Sequence, residues 1–261
     1  MRSPPIPETH ASRGFSLLET GIVLVVLAIM LTTLALPLAA QVQLRRQAEL
    51  RHQLSEARDA LLGFAAAHGR LPCPATAASN GTESFAAGAD ASTGECESFY
   101  GGYLPAASLG LTPLDPEGFQ RDPWETPSNR IRYAVYGGQA TNGVVNALTR
   151  TDGLQAATLA GVGNADHFLF VCSSGAEANA SGCGPAARQL TRRAAFVVFS
   201  LGPNAPSVPA PGSDEARNLD GDAVFVSRET SLVPGNAFDD TLLWVPVHLL
   251  THRLLLAGRL P

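Results

Sequence analysis

The sequence predicts an α+β fold: a long N-terminal helix, its first half a transmembrane spine, packed on a mostly antiparallel β-sheet head. Three observations predict it. Residues 15–38 carry a single charge, Glu19, in a run of leucine, valine, alanine, isoleucine and small residues. Residues 41–68 are rich in Ala, Leu, Arg, Gln and Glu, all good helix formers. Beyond residue 70, short apolar runs alternate with stretches rich in Gly, Pro, Ser and Asn, the pattern of strands joined by loops.

The apolar run is long enough as a helix to cross a bilayer core of ~30 Å. A carboxylate one turn into such a helix costs on the order of 2.5–3.5 kcal/mol at the membrane centre, so Glu19 requires a partner. The helix continues past Leu38. Leu50, Leu54, Ala57, Leu61 and Phe64 recur at spacings of four and three and form an apolar stripe. Arginines and acidic residues fill the other faces. Gly69 is placed for a left-handed cap and Pro72 prevents continuation. At 1.5 Å per residue the helix from residue 15 to residue 68 would be ~80 Å long.

Residues 75–98 show no period and read as a surface loop. Ile131-Arg132-Tyr133-Ala134-Val135-Tyr136 reads as a strand, and a short helix is expected near 153–160. Residues 167–172, 194–201, 223–227 and 241–245 complete a sheet of about four or five strands, with 167–172 and 194–201 as a long-looped hairpin. Residues 247–257 read as a closing helix, with Pro246 at its start and Gly258 at its C-cap. The segments are therefore 1–14, a short polar leader; 15–39, a transmembrane helix; 40–69, the second half of the spine; and 70–261, a β-rich head with a C-terminal helix.

The chain has 261 residues, 45% of them hydrophobic, and a net charge of −5. Residues 1–14 hold Arg2 and Arg13 against Glu8, so the chain without them is one charge more negative. No basic face of the kind nucleic acid requires is evident. All four cysteines, Cys73, Cys96, Cys172 and Cys183, follow the apolar run and fall into two local pairs. None forms a Cys-x-x-Cys, and no histidine stands at zinc-finger spacing. An even count in an exported domain suggests two disulfides, most simply Cys73–Cys96 and Cys172–Cys183, among the three connectivities that four cysteines allow.

Gly14-Phe15-Ser16-Leu17-Leu18-Glu19 and the apolar run behind it resemble the N-terminal signal of type IV prepilins and of type II secretion pseudopilins. A secretory signal has a shorter core, ~7–15 residues, with its cleavage site just after it. The resemblance implies that prepilin peptidase cuts between Gly14 and Phe15 and that the new Phe15 amine is methylated. It implies that the Glu19 carboxylate meets the Phe15 amine of a neighbouring subunit during assembly. An amine and a carboxylate that each lack a partner in lipid both gain by that pairing. Pro37 falls one position later than the helix-kinking proline of major pilins. Two further stretches are similar to pilin-like heads. Gly102-Tyr103-Leu104-Pro105, Asp122-Pro123-Trp124 and Ile131-Arg132-Tyr133 resemble the start of the major pseudopilin head. Asp239-Asp240, Trp244 and the helix ending Ala257-Gly258-Arg259-Leu260-Pro261 resemble the end of some large minor pilin-like proteins.

Candidate chemistry in the head is sparse. Asn218, Asp220 and Asp222 alternate in Asn218-Leu219-Asp220-Gly221-Asp222, a spacing that lets one loop offer three oxygens to calcium; the same residues also suit a turn. Major pseudopilins bind calcium in the C-terminal part of the head, so the resemblance also points to Ca2+ there. His248 and His252 stand four apart on the last helix without a third ligand or the glutamate of a zincin motif. No Walker loop, dinucleotide fingerprint or hydrolase elbow is present.

The expected function is that of a structural subunit, a minor pilin or pseudopilin of a type IV pilus or a type II secretion pseudopilus, and not an enzyme. Its expected partners are prepilin peptidase, other pilin-like subunits, the inner-membrane assembly machinery and the lipid bilayer. Its expected place is the bacterial inner membrane, single-pass, with the N-terminus cytoplasmic and the head periplasmic. The alternative is a membrane-anchored periplasmic enzyme or ligand-binding protein with a pilin-like signal.

Overall fold

A computed structural model of the chain describes residues 16–124, 129–205 and 207–260, with the backbone alone described over 31–40. The chain divides into two compact units, Met1–Gln47 and Ala48–Pro261. Helix α1, Leu17–His68, runs through both. In the first unit its side chains from Leu17 to Leu27 are apolar and exposed, apart from Glu19, Thr20 and Gly21.

Among the described residues no helix is long and apolar enough to cross a membrane. This overturns the transmembrane spine expected over residues 15–39, while the chain keeps the expected α+β class.

The second unit is built around β4, Gln189–Ser200. Strands β1 (Gly102–Tyr103), β2 (Arg132–Val135), β3 (Leu169–Cys172), β5 (Val224–Val226) and β6 (Thr241–Pro246) complete a six-stranded sheet of order β1-β2-β4-β3-β5, with β6 also on β4. Phe196 pairs with Val135 on one edge and Val245 on the other. Ala194 pairs with Leu169 and with Pro246, so β3 lies on the β2 side and β6 alone covers the opposite edge. The sheet is mixed, with four of its five strand pairings antiparallel and one parallel, and it has six strands where four or five are expected. After β4 the chain returns through α3 (Asp214–Arg217), and β5 then lies parallel to β3.

The remaining helices are α2, Gly153–Gly163, and α4, Val247–Leu256. On the α1 residues of this unit, Leu50, Leu54, Ala57, Leu61 and Ala65 are buried against the sheet core. Ala65, and not the expected Phe64, takes the last core position, because a spacing of four from Leu61 keeps the same face. Phe64 is half-buried and stacks on His68, with ring centroids 4.0 Å apart. Gly69 has φ +70°, so α1 ends in the left-handed cap that glycine adopts without strain. The chain's far end returns to the same place: Arg259 Nε donates to the Ala66 carbonyl at 2.9 Å, and its Nη2 to that of Ala67.

Arg70 opens the next segment and forks onto Glu83 with two 2.8 Å bonds. Its guanidinium also lies over the Phe64 and Phe85 rings, at 5.2 and 5.5 Å. A fork of this kind supplies both geometry and charge, and it fixes the start of the loop that Cys73–Cys96 encloses.

Leu61 is fully buried and Phe64 is not. Leu61→Ala is therefore expected to destabilise the protein by ~2–5 kcal/mol, and Phe64→Ala by less although it deletes the larger side chain. Urea unfolding of the two variants checks the order.

Candidate functional site

Two regions carry chemistry of interest: the N-terminal motif and a group of carboxylates in the head. Gly14 and Phe15 lie outside the described residues. The description starts at Ser16, whose Oγ accepts the Leu18 N–H at 3.2 Å and whose carbonyl accepts the Thr20 N–H at 3.0 Å. Ser16 thus caps α1. Ser16 and Glu19 stand at the spacing of a capping box, a signal the sequence reading passed over. Glu19 lies in the first turn, where a carboxylate gains ~0.3–1 kcal/mol from the helix dipole.

Both cysteine pairs are disulfides, Cys73–Cys96 and Cys172–Cys183, with Cα–Cα distances of 5.3 and 5.4 Å. The second is buried with Phe170, Ala178 and Val224 in a small core of its own.

Asn218, Asp220 and Asp222 do not converge as a ligand set. Asn218 is buried, and its Oδ1 accepts the Val226 N–H at 2.7 Å. Its Nδ2 donates to the Val226 carbonyl and, at 2.7 Å, to Asp240 Oδ2. The side chain therefore serves β5 as a neighbouring strand would. Asp220 and Asp222 face Arg217, at 2.7 and 3.6 Å, so a guanidinium already holds the place of a cation. Asp222 also accepts the Val224 N–H at 2.8 Å. The loop is a turn built by its own side chains, which corrects the calcium reading at these three residues.

The carboxylates that do meet are Glu215, Asp239 and Asp240, each with an oxygen within 4.8 Å of the others. They come from α3 and from the segment leading into β6. Among the described residues the donors to them are neutral amides. Glu215 accepts from Asn204 Nδ2 at 2.8 and 3.0 Å and from the Asp239 N–H at 3.0 Å. Asp240 accepts from Asn218. Asp239 Oδ1 is buried with no hydrogen-bond partner. Gly202, at φ +68°, makes the close approach possible: a Cβ there would lie 2.3 Å from that oxygen. Next to it Asp122 accepts from Ser200 Oγ at 2.5 Å and Asn129 Nδ2 at 3.1 Å. Asp214, close in sequence, differs: Arg228 neutralises it at 2.5 Å.

Burial raises the pKa of Asp239, Asp240 and Asp122. Desolvation, with Glu215 nearby, lifts Asp239 to about 6. Desolvation, with Glu215 and Asp239 adding to it and Asn218 opposing, lifts Asp240 to about 8. Desolvation also raises Asp122. With side-chain amides of Asn204 and Asn218 as the donors that face the group, the chemistry it carries by itself is proton holding. His248 and His252 are exposed on α4 and take no part.

The folded state keeps these protons to about pH 6 and pH 8, whereas an unfolded chain releases them near pH 4. Between those limits the folded state binds more protons, so stability falls as pH rises. The midpoint of thermal unfolding should drop between about pH 5 and pH 8, and Asp240→Asn should flatten that drop. Calcium that reversed the slope would show ionised oxygens holding a cation instead.

No family model, no curated protein and no solved structure matches this chain.

Proposed function

We propose that the chain is a structural subunit of a pilin-like filament, a minor pilin or pseudopilin of a type IV pilus or a type II secretion pseudopilus. In this reading prepilin peptidase cuts between Gly14 and Phe15, and the Phe15 amine is methylated. The assembly machinery then packs residues 17–27 of α1 against the same segment of other subunits. Glu19 meets the Phe15 amine of a neighbour. The work of such a subunit is mechanical and adhesive, not catalytic.

The observation that carries the reading is the join between motif and helix. Gly14-Phe15-Ser16-Leu17-Leu18-Glu19 leads directly into α1, and the apolar side chains behind it, such as Leu17, Leu18, Ile22, Leu24 and Leu27, are exposed. A helix apolar all round belongs inside a larger body, and packed helices of the same kind provide one. Among them an ionised Glu19 is tolerable only opposite a cation. Two disulfides are the kind of bond that persists in an oxidising compartment, which supports a periplasmic head.

The place of Glu19 in the first turn of α1 dictates the test. Glutamine at position 19 still fits a capping box but carries no charge. Glu19→Gln should therefore keep α1 and cleavage intact while reducing incorporation into sheared filaments by at least ~10-fold, the effect of losing ~1.4 kcal/mol at each subunit contact. Normal incorporation of Glu19→Gln would remove the pairing from the account.

A further inference from the structure

A cleft of about 270 Å³ opens in the head between the chain after β2 and the segment joining α2 to β3. Its polar lining is Tyr136, Gln139, Thr141, Asn164, Asp166 and His167. Two features set it apart from a chance depression: its frame is pinned, and its lining is idle.

The frame is fixed by hydrogen bonds that run behind the lining. The Ala140 N–H donates to the Val144 carbonyl at 2.9 Å and closes the loop on itself. The Thr141 N–H donates to the Gly161 carbonyl at 3.2 Å, and Asn142 Nδ2 to that of Ala156 at 3.0 Å, tying the loop to α2. Arg193 on β4 forks onto the Ala165 and Val162 carbonyls, at 2.8 and 3.0 Å. Helix α2 kinks at Thr158, where φ is 60° and ψ 159°, shortly before Asn164. That backbone is costly for a β-branched residue, and such strain gathers at binding sites.

The lining, by contrast, is unspent. Among the described residues the Tyr136 hydroxyl, the Thr141 hydroxyl, the Asn164 side-chain amide and the Asp166 carboxylate make no hydrogen bond. His167 Nδ1 lies 3.0 Å from the Phe168 carbonyl and donates to it, which leaves Nε2 an acceptor. Gln139 Nε2 donates to the Gly143 carbonyl and leaves its Oε1 available. The Tyr136 and His167 rings meet edge to face, with centroids 5.9 Å apart, and give the cleft an apolar wall. Burial raises the Tyr136 pKa, with Tyr100 and Asp166 adding to the effect, so its hydroxyl stays a donor.

The groups present decide the ligand class. No arginine lines the cleft, which disfavours phosphate or carboxylate ligands. Among the described residues the carboxylate and histidine groups that could hold a metal converge elsewhere, at Glu215, Asp239 and Asp240. What remains is a ligand whose groups each donate and accept, presented to amides, hydroxyls and one carboxylate around a ring wall. We propose that this cleft binds a neutral saccharide, one pyranose unit whose hydroxyls take the free groups of Tyr136, Thr141, Asn164 and Asp166. The inference concerns the head alone and stands apart from how the N-terminus is processed.

Saturation-transfer NMR on the purified full chain tests it, with D-glucose, D-galactose, D-mannose and N-acetyl-D-glucosamine as separate probes at ~10 mM, enough to populate a site of ~1 mM Kd. Transfer to at least one sugar is expected, with affinity lowered at least ~10-fold in both Asp166→Ala and Tyr136→Phe. Asp166 is exposed and Tyr136→Phe keeps the ring, so both variants should retain the parent melting temperature. Absence of transfer to all four sugars overturns the proposal. So does transfer that survives unchanged in both variants.

Discussion

Burial of residues 194–200 of β4 on both faces is the constraint on which the rest of the head depends. Residues 194–199 are all within 1% of full burial. A strand with no wet face needs cover on each side and a partner on each edge. The edges are met by β2 and β3 on one side and β6 on the other. The same core takes Leu50, Leu54, Ala57 and Leu61 from α1 and Leu250 and Leu254 from α4. Where β4 ends, at Ser200, the interior turns polar. The Ser200 hydroxyl donates to Asp122, and Gly202 brings the backbone against Asp239. The carboxylate group therefore sits at the limit of the apolar core, where the chain stops being able to fill space with side chains that need no hydrogen bonds.

Much of this head was legible in the sequence wherever a local pattern coincided with burial. The strands at β2, β3, β5 and β6 lie within or beside the runs read from their apolar residues, and α2 and α4 fall near their expected places. The failures have physical causes. Strand β4 begins at Gln189, although Gln189, Thr191, Arg192 and Arg193 carry no apolar signal, because the pairing surface of β3 extends the ladder. Strand β1 has two residues, too few for any period. Phe64 looked like core because it lies three residues after Leu61, but the helix buries Ala65, four after Leu61, instead. The transmembrane expectation came from composition over residues 15–38, and among the described residues no helix meets that requirement.

Functional groups divide along the same line. The cysteine pairs are close in sequence and were readable as pairs. Asn218, Asp220 and Asp222 looked like ligands because spacing shows where oxygens are and not what already holds them. Arg217 and the Val226 backbone do so here. Glu215, Asp239 and Asp240 were missed as a group because α3 and the approach to β6 meet only in the folded head. The cleft at Tyr136 and Asp166 has the same origin: its two sides are distant in the chain and are joined by Arg193 and the loop hydrogen bonds. In each case the residue types were visible and the convergence was not.

The central claim, that this chain is a processed filament subunit, is tested most directly by intact-mass analysis of the protein from cells that contain prepilin peptidase. The account predicts a species that begins at N-methylated Phe15 and is lighter by two hydrogens for each of its two disulfides. A chain still carrying residues 1–14, or one cut at any other bond, would contradict it.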